Sequence, residues 1–184
     1  MFDTLLDKLK SDSAEWPKCR EFFNEKSVPA KTILLREGEI ATHMYFIRKG
    51  CLRLWFNHDG RDITFQFFFE GVGVASIDSF LSSQPSMFTL ESIEPSSLLI
   101  ITKENFDYLQ QTYPEIKEGF QKILFQRFRN YAFLFLSRIK DSPKERYIEL
   151  IKQHPEIIQR VPQHYIASYL GITPISLSRI RNRK

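Results

Sequence analysis

The sequence predicts an α+β chain: a double-stranded β-helix (jelly roll) with flanking helices, one long helix, then a C-terminal helix–turn–helix without a complete wing. Three observations predict it. Between residues 27 and 102, short segments rich in β-branched and aromatic residues alternate with turn signals. From Pro114 to about Lys140, apolar residues recur at helical spacing with no breaker. The final stretch, QHYIASYLGITPISLSRIRNRK, carries the pattern of two short crossed helices.

Residues 2–9 and 13–26 are expected to be helical, the second with Asp12 and Glu15 spaced as a capping box. The predicted strands are TILL (32–35), HMYFIRK (43–49), CLRLWFN (51–57), DITFQFFF (62–69), MFTLES (87–92) and SLLIIT (97–102). Asp59-Gly60 between two apolar runs predicts a tight hairpin. Residues 103–112 form a short helix. Pro114 suits the first helical position of the long one, which at 1.5 Å per residue is roughly 40 Å long. Its apolar positions, among them Ile116, Phe120, Ile123, Leu124, Phe128, Tyr131, Leu134, Phe135 and Ile139, exceed what one covered face needs. The economical arrangement is a symmetric dimer through 114–140, with Phe120, Ile123 and Leu124 expected at its seam. Asp141 is the expected N-cap of a helix over 143–153 that ends before Pro155. The expected divisions are a roll at 1–113, a dimerisation helix at 114–140 and a terminal helical domain at 141–184.

Composition narrows the classes. The 184 residues are 42% hydrophobic with 17 Phe, ample for a core. No apolar run is long enough to span a bilayer, and the acid-bearing N-terminal stretch does not resemble a signal peptide, so a cytoplasmic location without membrane association is expected. Cys19 and Cys51 stand alone, without CxxC spacing, which fits reduced thiols. The net charge of +4 is unevenly placed. Arg160, Arg179, Arg181, Arg183 and Lys184 fall in the last 25 residues with no Asp or Glu; the rest of the chain holds 21 Lys+Arg against 22 Asp+Glu. A basic end on a near-neutral body is an electrostatic footprint for nucleic acid.

In the terminal stretch, Ala167 is the small residue where two helices cross, and Gly171 is the turn residue four positions on. Ile166, Leu170, Ile172, Leu177 and Ile180 point inward, while Thr173 and Pro174 are N-cap and first position of the second helix. The helical period then turns Ile175, Arg179 and Asn182 outward, with Ser176 and Arg183 flanking. Such a helix enters a major groove of double-stranded DNA. Base contacts are expected from Arg179, Asn182, Ile175 and Ser176; Arg179 leads, because its guanidinium bonds guanine O6 and N7 together. Phosphate contacts are expected from Thr173, Arg181, Arg183 and Lys184.

With FIRKGCLRLWF, GRDITFQFFFEG and IASYLGITPISLSRIR in place, the chain over about 20–184 resembles a Crp/Fnr-family transcription regulator. The resemblance implies a cyclic-nucleotide-binding β-roll, a homodimer through the long helix, a DNA-binding helix–turn–helix including Arg179, and RNA polymerase as a further partner. Departures matter. Pro174 and Ile175 stand at further base-reading positions of the family, and the family's terminal wing has no counterpart. In the family's nucleotide cassette a Glu follows a Gly and an Arg comes about ten residues later. Gly73 matches the Gly, but Val74 stands for the Glu, and Gln84 to Ser86 occupy the Arg region. No Lys or Arg lies between Arg61 and Lys103.

A phosphate anion buried without a cation is costly. The amides near Gly71–Gly73 are the remaining anion donors, and Asp78 and Glu91 are expected to repel. The candidate effector pocket is therefore Gly71, Gly73, Val74, Gln84 and Ser86, with cAMP and cGMP not expected and any small-molecule effector neutral, apolar or cationic. Phe65, Phe67, Phe68 and Phe69 read as core. His43, His58, His154 and His164 lack metal spacing. No P-loop, GxSxG or HExxH is present, so no catalysis and no cofactor are expected. The alternative reading is a small-molecule sensor or protein-interaction module whose helical tail does not bind DNA.

Overall fold

The computed structural model describes residues 16–182. Residues 2–9 and the Asp12–Glu15 pair fall outside that range. The elements run α1 (Trp16–Arg20), β1 (Asn24–Val28), β2 (Ile33–Leu35), β3 (His43–Lys49), β4 (Leu52–His58), β5 (Arg61–Phe68), β6 (Gly73–Val74), α2 (Ile77–Ser82), β7 (Thr89–Ser92), β8 (Ser96–Thr102), α3 (Lys103–Thr112), α4 (Pro114–Lys140), α5 (Pro143–Gln153), α6 (Pro155–Arg160), α7 (Gln163–Leu170) and α8 (Pro174–Asn182). Two antiparallel four-stranded sheets, ordered β1-β8-β3-β6 and β2-β7-β4-β5, make the roll. β4 and β5 meet at His58↔Arg61 around the expected two-residue Asp59-Gly60 turn.

The helix expected over 13–26 stops at Arg20. Asn24–Val28 instead pairs along the whole of Ser96–Ile100, so ladder formation across 70 residues overrides local helical preference.

One core fills the roll and extends into the helices. Phe80, Phe106 and Phe120 form a chain of edge-to-face rings at 5.7 and 4.9 Å, which ties α2, α3 and the start of α4 together. A second core joins α5–α8 to the outer face of the roll: Tyr147, Leu150, Ile157, Val161, Ile166, Tyr169 and Leu177 cluster with Cys51 and Phe67. Strand β4 is therefore buried on both faces at its start.

On α4, Ile116 and Phe120 are buried in the roll, and Ile123 and Leu124 pack against the same core. The seam expected at Phe120, Ile123 and Leu124 is thus filled from within the chain. Among the described residues the stripe left exposed is Phe125, Phe128, Ala132, Phe135 and Ile139, in 3-4-3-4 spacing, with its Phe and Ile residues 65–71% exposed. At the end of α4, Asp141 closes that helix by donating its N–H to the Ser137 carbonyl. The N-cap of α5 is Ser142 rather than Asp141, in a reciprocal capping box with Glu145, because Pro143 at the first position fixes the cap one residue earlier.

Candidate nucleic-acid interface and effector site

The helix–turn–helix is α7 and α8. Gly171 ends α7 at φ 69°, a left-handed conformation that costs a side-chain-bearing residue, and its N–H returns to the Ser168 carbonyl. Ala167 is fully buried at the crossing, and Ile166, Leu170 and Leu177 are buried around it. Thr173 Oγ1 accepts the Ser176 N–H at 3.1 Å, the N-cap bond the sequence predicts. Ile175 (66% exposed), Arg179, Arg181 and Asn182 face solvent, and Ser176 is half-buried beside Thr173. Among the described residues no carboxylate pairs with Arg179 or Arg181. Arg183 and Lys184 lie outside the described residues.

The first helix of the motif sits on the roll. Arg53, 1% exposed, places Nε and Nη2 on Glu91 Oε2 at 2.8 and 2.7 Å, Nη2 on Asp62 at 3.2 Å and Nη1 on Thr64 Oγ1 at 3.3 Å. Its flat face lies 3.7 Å from the centre of the Tyr165 ring and 4.9 Å from that of Trp55. Ser168 Oγ accepts the Thr64 N–H and donates to the Asp62 carbonyl, both at 2.8 Å. Arg160 grips both oxygens of Glu70 at 2.9 and 2.7 Å, also bonds Glu94, and lies over Phe69. That grip, chiefly the Arg160 hydrogen bonds, holds the Glu70 carboxyl down at about 2 and raises Arg160 in turn. Burial pushes the Cys51 thiol well up, which keeps it protonated and inert.

The cassette residues are brought together only in part. Gly71 and Gly73 lie on the approach to and within β6; the Gly71 N–H is already bonded to Ile47, and a side chain at Gly73 would strike the Phe46 ring at 2.5 Å. Val74 pairs with Tyr45 and is fully buried. The residue that meets Ser86 is Ser76, not Val74: the two buried hydroxyls share a 2.8 Å hydrogen bond, and Ser86 Oγ also accepts the Phe88 N–H. Gln84 is exposed, and its backbone carbonyl accepts Ser79 Oγ. Phe88 stacks on Phe65 at 4.7 Å and Phe65 meets Tyr131 of α4 at 5.1 Å, which packs rings against the roll core beside the cassette.

Glu91, expected to repel an anion here, instead faces the outer side and pairs with Arg53. The cation nearest the cassette comes from elsewhere. Arg127 of α4 donates to the Gly73 carbonyl and lies 5.4 Å from the centre of Phe68, with burial lowering its pKa. The cassette hydroxyls of Ser76 and Ser86 bond one another, and the Arg127 guanidinium is committed to a backbone carbonyl. Arg53, Ser76, Arg127 and Tyr165 were not singled out by sequence. Only the last two had a signal, an Arg and a Tyr on helices whose burial the periodicity already implied.

Among the described residues no group of three metal-ligating side chains exists, and no helix is long and apolar enough to cross a membrane. A cavity of about 110 Å³ near Glu39, His43, Tyr45 and Ser76 opens on the roll, where burial pushes Tyr45 up to about 12.

Residues 25–113 match the family model of the cyclic nucleotide-binding domain. No curated protein matches the chain in sequence. Solved structures match in fold. The c-di-GMP-responsive global regulator CLP of Xanthomonas campestris is 19% identical, with a TM-score of 0.74, 92% of this chain and 89% of that one covered. A mutant of CooA from Carboxydothermus hydrogenoformans is 17% identical, TM-score 0.76, covering 97% and 82%. A putative transcriptional regulator of the Crp/Fnr family from Eubacterium rectale is 18% identical, TM-score 0.75, covering 94% and 83%. Residues 25–113 are thus similar to the cyclic nucleotide-binding domain, and they sit in a chain that has the fold of the Crp/Fnr regulators.

Proposed function

We propose that the chain is a homodimeric, sequence-specific DNA-binding transcription regulator of Crp/Fnr type whose roll takes no cyclic nucleotide. In this reading 1–113 is the roll, 114–140 the dimer helix and 141–184 the DNA-binding head. The observation that carries it is the α8 surface: its inner side is sealed by Leu177 against α7, while Ile175, Arg179, Arg181 and Asn182 stand open, and no carboxylate among the described residues neutralises the guanidinium groups. A generic helical hairpin has no need of unpaired arginines on one face. Two such helices in a dimer reach adjacent major grooves about 34 Å apart. Arg179 reads a base, and Arg181 with the Thr173 hydroxyl holds phosphates.

The test is duplex binding at several salt concentrations, with a site selected from random DNA. The expected result is preference for a two-fold symmetric site and a steep fall of affinity with salt, because phosphate contacts release counterions. No measurable duplex affinity at low salt overturns the proposal and assigns the tail to protein contact.

A further inference from the structure

We propose that Arg53 is a positioning residue for the DNA-binding head: the outer face of the roll clasps α7 through Arg53–Tyr165 and Ser168, and so fixes α8 in one orientation without any effector. The inference rests on the DNA-binding reading above.

Arg53 is held so that it can do little else. Glu91, Asp62 and Thr64 take the edge of its guanidinium and orient its plane. The flat face that remains is covered by Tyr165. An arginine buried in a strand face is tolerated when its charge is paired and its donors are met. Here the roll supplies the pairing, and the head supplies the lid.

The second half of the clasp answers a different need. Among the described residues β5 is an edge strand, with β4 on one side and no strand on the other. An edge strand leaves backbone N–H and C=O groups without ladder partners. Ser168 meets two of them, Thr64 N–H and Asp62 C=O, with one hydroxyl. The hydroxyl thus does what a neighbouring strand would do. Tyr165, Ser168 and Tyr169 share one face of α7 by their i, i+3, i+4 spacing, and Tyr169 adds a ring contact with Phe67 at 5.4 Å. The other face of α7, with Ile166, Ala167 and Leu170, carries α8. A short packed route therefore runs from Arg53 through α7 to Arg179. Undocking the head would bare Cys51 and Phe67 and strip the cover from Arg53.

The two cysteines give separate readouts. Cys19 is buried in the roll core and Cys51 in the junction core. Label the native dimer with a thiol reagent and follow each cysteine by peptide mass spectrometry, in the parent and in Tyr165→Leu/Ser168→Ala. The expected result is Cys51 labelling at least tenfold faster with Cys19 unchanged, and affinity for the selected duplex at least tenfold weaker. Tyr165→Phe keeps the ring and should behave as the parent.

Unchanged Cys51 labelling overturns the clasp. So does faster Cys51 labelling with duplex affinity equal to or above the parent's, since the contact would then not position the head for DNA. If Cys19 accelerates too, the roll has unfolded; Ser168→Ala alone then decides, through exchange of the Thr64 amide, which should rise at least tenfold and overturns the clasp if it does not. A parent that binds no duplex while the double variant still frees Cys51 refutes the DNA-binding reading, and with it the positioning role, but leaves the docking contact standing.

Discussion

Replacing Phe128 by Asp tests the proposed dimer at the middle of its seam. Phe128 is 71% exposed in the single chain, and it lies between Phe125 and Ala132 in the 3-4-3-4 stripe. A Phe presents roughly 200 Å², so about 140 Å² per subunit becomes hidden if the stripe meets its copy. At about 25 cal/mol per Å² the loss is roughly 3.5 kcal/mol per subunit, or about 7 kcal/mol per dimer. Two facing carboxylates add to that figure. At 1.4 kcal/mol per decade, the dimer Kd should rise by about five orders of magnitude. Sedimentation velocity at micromolar protein should show a monomer, with a far-UV spectrum and Cys19 protection like the parent's. Phe120→Asp should behave differently: Phe120 is 5% exposed and its ring lies 4.9 Å from Phe106, so a charge there should unfold the roll rather than release a monomer. If both Phe128→Asp and Ile139→Asp sediment as the parent does, the stripe is not the interface.

Arg179→Ala should cost about 1–3 kcal/mol on a selected site and relax preference at one base pair per half-site, whereas Arg181→Ala should weaken selected and random duplex alike and lower the salt slope by about one per subunit; competition binding at two salt concentrations separates them. Cyclic AMP should give no appreciable heat by calorimetry at millimolar nucleotide, and micromolar binding would show that backbone amides alone can hold its phosphate. The junction should weaken in acid. Glu70 is held below its ordinary 4.5, at about 2, so its contribution is complete above about 4.5 and is lost as pH falls from there towards 2. Both thiols label more slowly in acid as their thiolate fraction falls, so the readout is the ratio of Cys51 to Cys19 labelling, which should rise across that window in the parent, and Glu70→Gln should remove the part of that rise that Glu70 supplies.

The helix–turn–helix was legible because its constraints are local: a small residue, a left-handed turn and an N-cap within ten positions, each visible as a residue type. The Asp59-Gly60 hairpin and the helices at 103–112 and 143–153 were legible for the same reason. The cassette was harder. Val74 and Ser76 both point inward in a tight strand–helix turn, and only the hydrogen bond to Ser86 tells which one faces the pocket. The exposed stripe of α4 lies further along and around the helix than the residues expected at a seam, because the sequence shows apolar positions but not which of them the roll claims first. Arg53 was not legible. In CLRLWFN it alternates with leucines as a solvent-facing residue would, and its burial is created by Tyr165, which lies 112 positions away in the chain.

The edge of β5 has a consequence during synthesis. Thr64 and Ser168 are 104 positions apart, so the roll's outer face is complete long before α7 leaves the ribosome. The outer sheet is complete once β7 is made at Ser92, 76 positions before Ser168, so at about 5–20 residues per second the delay is roughly 4–15 s. Through that interval an unpaired strand edge stands beside Cys51 and Phe67 with nothing over them. A nascent chain in this state is primed to pair with another of its kind, and slow translation of the segment after Lys140 should raise the yield of aggregate rather than of folded protein.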